Sequence, residues 1–237
     1  MSLEGRVALI TGATGPAGRA VASDLAGDGV RLALLGTRQD RLDELAKGLG
    51  LVPELRLLHA VDLREPAAAA AAVDAVVSRF GRLDIVVHLV GGWTGGHSLV
   101  DTPVSEFTAM LDQHVVTTVN VLQAAVPRLV AAGWGRIVAV SSPVATQHVP
   151  GVAAYAAAKA AEEALFGTLA RELAGTGVTA NVLQVRTIDA AHERDSAPSP
   201  KNLSWTTPEE IAAAVRFLCS DAAGAVSGAR IPLYGAA

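Results

Sequence analysis

The chain has 237 residues, 51% of them hydrophobic and 4% aromatic, which is enough apolar material for one substantial core and too little length for a second large domain. With 19 basic and 23 acidic residues the net charge is −4, and no block of Lys or Arg stands out, so neither nucleic acid nor an anionic membrane is an expected partner. Cys219 is the single cysteine and cannot close an internal disulfide, no secretory leader precedes the first apolar run, and charges or glycines interrupt every apolar stretch; a soluble cytoplasmic protein is expected.

In chain order the strand-like runs are RVALIT, VRLALLG, LRLLHAVD, LDIVVHLVG, GRIVAVSS, VTANVLQV and ARIPLYG, separated by helix-sized segments rich in alanine. Near-continuous apolar strands alternating with helices predict a parallel sheet covered on both faces. The expected fold class is therefore α/β, one Rossmann-type domain over 1–237, with a doubly wound parallel sheet of about seven strands. Helix starts are marked at Pro66, at Thr102 with Pro103, and at Thr207 with Pro208, where Thr207 and Glu210 have the spacing of a capping box. The stretch from Ile188 to Trp205 lacks a regular pattern, and about 187–207 is expected to form a substrate loop beyond the carboxyl ends of the strands.

Between the first strand and the first helix stands TGATGPAG, residues 11–18. A dinucleotide turn needs glycine where the chain turns, where the backbone nears the pyrophosphate and where helix meets strand, and Gly12, Gly15 and Gly18 supply that spacing. Thr11, Thr14, Pro16 and Ala17 complete the turn. Pro16 removes one backbone donor, which predicts weakened and not abolished cofactor binding. At the end of the second strand, LLGTRQ offers Thr37 and Arg38 and no carboxylate, a pair suited to a 2′-phosphate, so NADP(H) is expected ahead of NAD(H).

Further along, YAAAK puts Tyr155 and Lys159 one turn apart on a helix face, and an ammonium there favours a phenolate, letting tyrosine exchange a proton. Ser142, thirteen residues before Tyr155, ends a strand and can hydrogen-bond a carbonyl oxygen at the same crevice. The glycine turn followed by this Ser, Tyr and Lys spacing resembles the short-chain dehydrogenase/reductase family, and the resemblance extends over nearly the whole chain, including VTAN at 178–181. It implies an oxidoreductase that moves hydride between a nicotinamide cofactor and a carbonyl or alcohol substrate, with Tyr155 as acid/base, Lys159 also holding the nicotinamide ribose and Ser142 on the substrate oxygen. It further implies adenine contacts near Asp62 and Leu63, and cofactor contacts at Gly91 and Ile188. Oligomers are common in the family, and the alanine-rich segments 112–132 and 152–174 would leave apolar faces exposed, so a homotetramer or homodimer is expected.

Three motifs depart from the family pattern. His88-Leu89-Val90-Gly91 stands where the family has NNAG, His114 where it has a helix asparagine, and Val185-Arg186 where it has a Pro-Gly pair. An imidazole at 114 can donate and accept, so His114 is a candidate for the proton relay, against the alternative of a structural histidine. The other histidines lack ligand spacing, and no metal is expected. GGWTGG, residues 91–96, resembles a loop of the dihydropteridine reductases, and Trp93 on it is placed to stack on a flat substrate or to lie over the nicotinamide. Two alternatives to a carbonyl reductase stay open: a reductase for a pterin-like ring, and a nucleotide-binding scaffold that has lost turnover.

Overall fold

In the computed structural model, which describes residues 3–234, seven parallel strands form one sheet. They are β1 (Val7–Thr11), β2 (Arg31–Gly36), β3 (Arg56–Ala60), β4 (Ile85–His88), β5 (Gly135–Ser141), β6 (Val178–Gln184) and β7 (Arg230–Pro232). Each lies inside one of the apolar runs read from the sequence. The order is β3-β2-β1-β4-β5-β6-β7, so the chain winds outward in one direction from β1 and then restarts beside it at β4. Every residue of β1, β4 and β6 is buried, which is why these strands read as continuous apolar runs and not as alternating ones.

Helices cover both faces. On one, α1 (Pro16–Gly27), α2 (Gln39–Gly48) and α9 (Pro208–Cys219) bring Val21, Leu25, Leu42, Val215 and Leu218 against Ile10 and Leu34. On the other, α3 (Pro66–Phe80), α5 (Thr117–Ala131) and α7 (Ala153–Glu172) pack Val76, Leu129 and Phe166 on Leu9 and Val86. The remaining helical pieces are α4 (Val104–Leu111), joined to α5 by a π-helical turn at Asp112–Val116, and the short α6 (Val144–Gln147) and α8 (Glu193–Ser196). No helix among the described residues is long and apolar enough to cross a membrane.

The helix-start signals hold at two places and shift at the third. Pro66 opens α3, and Thr207 caps α9 by accepting from the Glu210 amide while the Glu210 carboxylate accepts from the Thr207 amide, at 3.2 and 2.8 Å. At α4 the cap is Pro103 and the helix begins at Val104, because the Thr102 hydroxyl is spent on the Ser98 carbonyl, 2.8 Å away, closing the preceding turn. The segment 187–207 is not patternless either. It contains α8, whose first amides donate to the Asp189 carboxylate at 2.8 Å, and Arg194 clamps Glu210 with two bonds of 3.0 and 2.7 Å. Long-range side-chain pairing orders a stretch that has no periodicity of its own.

His88 ends β4 almost fully buried. The Leu89 amide donates to Thr11 Oγ1, which lies 2.9 Å from His88 Nδ1, and His88 Nε2 lies 3.4 Å from Thr117 Oγ1, itself donating to the Gln113 carbonyl. That chain of donors is consistent only with a neutral ring protonated at Nε2. Burial, with the Lys159 charge adding to it, pushes His88 down to about 3. The unfolded chain takes up this proton near 6.5 and the folded one does not, so the unfolded state binds more protons across that window and stability falls as pH drops through it, at about 1.4 kcal/mol per pH unit. His88→Asn, which retains a donor and an acceptor, should flatten the fall in urea-unfolding free energy between about pH 6 and 4. An unchanged slope in the variant would show that His88 does not drive it.

Candidate active site

The glycine turn is built on two approaches too close for any side chain. A Cβ on Gly12, whose φ is +64°, would stand 2.5 Å from the Leu89 carbonyl oxygen, and one on Gly18 would stand 2.5 Å from the Gly12 oxygen. The first contact lets β4's following loop lie against the turn, and the second lets α1 start immediately beneath it. Gly15 is the N-cap of α1 and Pro16 its first residue, where the missing N–H is one that no helix carbonyl would have received. The helix start is thus intact, its neighbouring amides exposed to a cleft.

Two adjoining cavities of about 860 and 610 Å³ extend from this turn and share Gly12, Gly15 and Gly91. The first is walled by Thr14, Thr37, Asp62 and Leu63, the second by Pro16, Ala17, Gly18, Trp93 and Ile188. The second also contains Ser142, Tyr155, Lys159 and His114. A glycine cradle leading on one side to a long half-apolar recess and on the other to a hydroxyl, a phenol and an ammonium fits a dinucleotide with its reactive ring at the phenol.

Two residues expected in the cleft lie outside it. Thr11 is buried beneath the turn, its hydroxyl committed to the Leu89 amide and His88. Arg38, the N-cap of α2, turns its guanidinium onto the exposed Asp40 carboxylate, and that pairing raises the arginine and lowers the aspartic acid. In the same region the wall includes Arg64, which sequence reading passed over. Its guanidinium holds Asp62 at 2.9 and 2.5 Å, and the Arg64 hydrogen bond brings Asp62 down to about 2.

At the chemical end, β5 delivers Ser142 just past its last residue, and α7 delivers Tyr155 and Lys159 from its first two turns. Ser142 is 2% exposed, and its hydroxyl oxygen is 3.5 Å from the Val144 amide. Lys159 is anchored from behind: Nζ donates to the Val140 carbonyl at 2.8 Å and to Glu162 at 2.7 Å. Glu162 and its neighbour Glu163 are both buried, a feature that two acidic residues in an alanine-rich helix do not announce.

His114 stands in the π-helical turn, which swings it toward the cleft. Its ring meets that of Tyr155 edge-on at 5.7 Å, and its Nε2 lies 3.0 Å from the Gly92 carbonyl, so Nε2 carries the hydrogen. Nδ1 is then a buried acceptor with no donor from the protein, and a Cβ on Gly91 would come within 3.6 Å of it. Burial, reinforced by Lys159, holds His114 near 4, so the ring is neutral at ordinary pH. Trp93 is 65% exposed on a loop pinned to the approach of α7 by the Gly96 amide, which donates to the Gly151 carbonyl at 2.7 Å.

Known proteins that resemble the chain identify its family. Residues 6–200 match the family model described as short chain dehydrogenase. D-threitol dehydrogenase from Mycolicibacterium smegmatis is 32% identical over 98% of this chain and 93% of its own. Among solved structures, a short-chain type dehydrogenase/reductase from Mycobacterium ulcerans superposes with a TM-score of 0.90 at 27% identity, covering 98% of this chain and 90% of that one. The 3-ketoacyl-(acyl-carrier-protein) reductase from Brucella melitensis complexed with NADH superposes at 0.88 and 25% identity, with 98% of both chains covered. With a Rossmann-like sheet, a dinucleotide cradle and relatives that match from end to end, the chain belongs to the short chain dehydrogenase family and is an NAD(P)-dependent oxidoreductase.

Proposed function

We propose that the protein interconverts a carbonyl compound and its alcohol in the cytoplasm, with Tyr155 passing the proton. The observation that carries this reading is that Ser142, Tyr155 and Lys159 wall the same recess as the glycine turn. Gly12, Thr14, Gly15, Pro16, Ala17 and Gly18 would hold the diphosphate, Thr37, Asp62 and Leu63 the adenosine, and Gly91 and Ile188 the nicotinamide end. The nicotinamide, when bound, supplies or removes the electron pair at the substrate carbon. Ser142 Oγ donates to the substrate oxygen and orients it. Tyr155 Oη gives its proton to that oxygen in reduction and takes it back in oxidation. Lys159, fixed by Val140 and Glu162, turns its remaining hydrogen toward the ribose and the phenol. His114 Nδ1, the acceptor without a donor, holds a water beside the phenol. Exposure of Trp93 at the mouth supports a flat-ringed substrate, and a pterin-like ring is the second reading.

Tyr155→Phe retains the ring packing and loses the hydroxyl, so cofactor affinity should survive while turnover falls by roughly 10²–10⁴-fold. Lys159→Ala should damage both. Measuring affinity and rate on the same preparations tests this, and a Tyr155→Phe protein turning over at full rate would refute Tyr155 as the group that passes the proton.

NADP(H) is the preferred cofactor in this reading. The pairing of Arg38 with Asp40 is exposed on both sides and therefore weak, so a 2′-phosphate displaces the carboxylate and takes the guanidinium. Arg38→Ala should weaken NADPH binding about tenfold and leave NADH unchanged, while Asp40→Ala should tighten NADPH. Equal affinities of the unaltered protein for the two cofactors, in fluorescence titration, count against it.

The assembly is a homotetramer or homodimer through α5 and α7, whose outer surfaces enclose a shallow groove between Val119, Leu122, Leu165 and Leu169. Sedimentation at micromolar concentration should give the mass of a dimer or tetramer, and a monomer would refute it.

A further inference from the structure

Glu162 follows Lys159 by three residues on α7, and the pair is shut away from solvent, with side chains 5% and 1% exposed. We propose that Glu162 is a positioning residue for Lys159, holding its ammonium at the edge of β5 and damping the charge it presents to Tyr155, so that the carboxylate sets the pH range over which the site exchanges protons. The proposal rests on the reading of Tyr155 and Lys159 as the acid–base pair.

An ammonium has three hydrogens. One goes to the Val140 carbonyl at 2.8 Å and one to Glu162 Oε2 at 2.7 Å, which leaves one for the cleft and fixes its direction. The other Glu162 oxygen meets only the Thr118 hydroxyl, at 3.5 Å, and that hydroxyl donates to the His114 carbonyl. A buried ion pair adds little to stability compared with apolar residues of the same shape, so its consequence here is electrostatic. Nothing else nearby can play the part. His88 and His114, the titratable groups facing Lys159 from β4 and the π-helical turn, are neutral. Glu163, next along α7, is turned to Ser141, Gln184 and Arg230 at 2.7, 2.9 and 3.0 Å. Among the described residues, Glu162 alone forms an ion pair with Lys159. Burial holds the Glu162 carboxyl above its ordinary range while Lys159 works against that.

A carboxylate beside the ammonium keeps the lysine proton on, and by offsetting the positive charge it also keeps the phenol proton on. Removing it lets both leave at lower pH. Both protonated forms serve reduction, so the carboxylate extends proton donation toward alkaline pH.

Glu162→Gln preserves the shape and an acceptor for Nζ without the charge. Two profiles are measured against pH, NADPH affinity by fluorescence and carbonyl reduction rate. In the variant the alkaline fall of each should begin about one pH unit lower than in the unaltered protein. A uniform loss with the alkaline limb unmoved would mean a merely structural glutamate and overturn the proposal. The affinity profile needs no turnover, so it tests the coupling of Glu162 to Lys159 even if the Tyr155 reading fails. Should Glu162→Gln not fold, melting supplies the answer in another background. Lys159→Met leaves a buried carboxylate without its cation and should melt lower, increasingly so as pH rises, and adding Glu162→Gln should recover the loss. A double variant melting no higher than Lys159→Met would overturn the pairing.

Discussion

The reversal of winding between β1 and β4 is the constraint on which the site depends. The strand order carries the chain from β1 out to β3 on one side and from β4 out to β7 on the other, and crossovers between parallel strands follow one hand. The loops leaving the carboxyl ends of β1 and β4 must therefore diverge to opposite faces, and a crevice opens between them. The glycine turn exploits it by lying so near the loop after β4, and α1 so near the turn, that a single methyl group at Gly12 or Gly18 would collide with backbone.

Above the apolar core the carboxyl edge of the sheet carries a polar seam. Thr11, His88 and Thr117 tie β1 to β4 and to the π-helical turn, and Ser141, Gln184 and Glu163 tie β5 and β6 to α7. Lys159 and Glu162 lie between these two groups. Burying such groups is costly unless each finds a partner, and here nearly all do, so the seam adds specificity of position to what the apolar layers supply in free energy. The neutral state of both histidines belongs to the same logic: with Lys159 charged at close range, an imidazolium beside it would be a second buried cation.

Much of this was legible in the residues. All seven strands were readable: β1, β4 and β6, buried along their whole length, leave an unbroken apolar signature, the half-buried β3 and exposed β7 were marked by the helix-sized spacing before them, and the glycine turn and the Ser142, Tyr155 and Lys159 spacing are carried by short motifs. What escaped was pairing across space. Nothing in LLGTRQ shows that Asp40 sits on the Arg38 guanidinium, and Arg64 reads as a surface charge until it is seen in the cavity wall. Thr11, which the motif assigns to the cofactor, is turned inward by a histidine 77 positions away. Thr102 looked like a helix cap because a serine four residues earlier gives no sign that its carbonyl will claim the hydroxyl. Glu162 carried no signal at all: a charged residue on an alanine helix ordinarily faces water, and only the packing of α7 against β5 and the π-helical turn turns it inward.

The two ends of the cleft differ in how firmly their charges are held. At the end proposed for the adenosine the charges are Arg38 with Asp40 and Arg64 with Asp62, solvent-exposed pairs that salt screens. At the chemical end Lys159, Glu162, His88 and His114 are buried and committed in geometry. In the function proposed here, substitutions at the first end would alter which nucleotide is held and how tightly, because each guanidinium is held only by an exposed carboxylate. Substitutions at the second leave a donor, an acceptor or a charge unmatched in a medium that cannot solvate it, so they act on proton transfer and on stability together. On the proposed reading, cofactor choice would thereby be separable from chemistry in this fold, whereas an acid–base role of the phenol would be bound to the integrity of the seam beneath it.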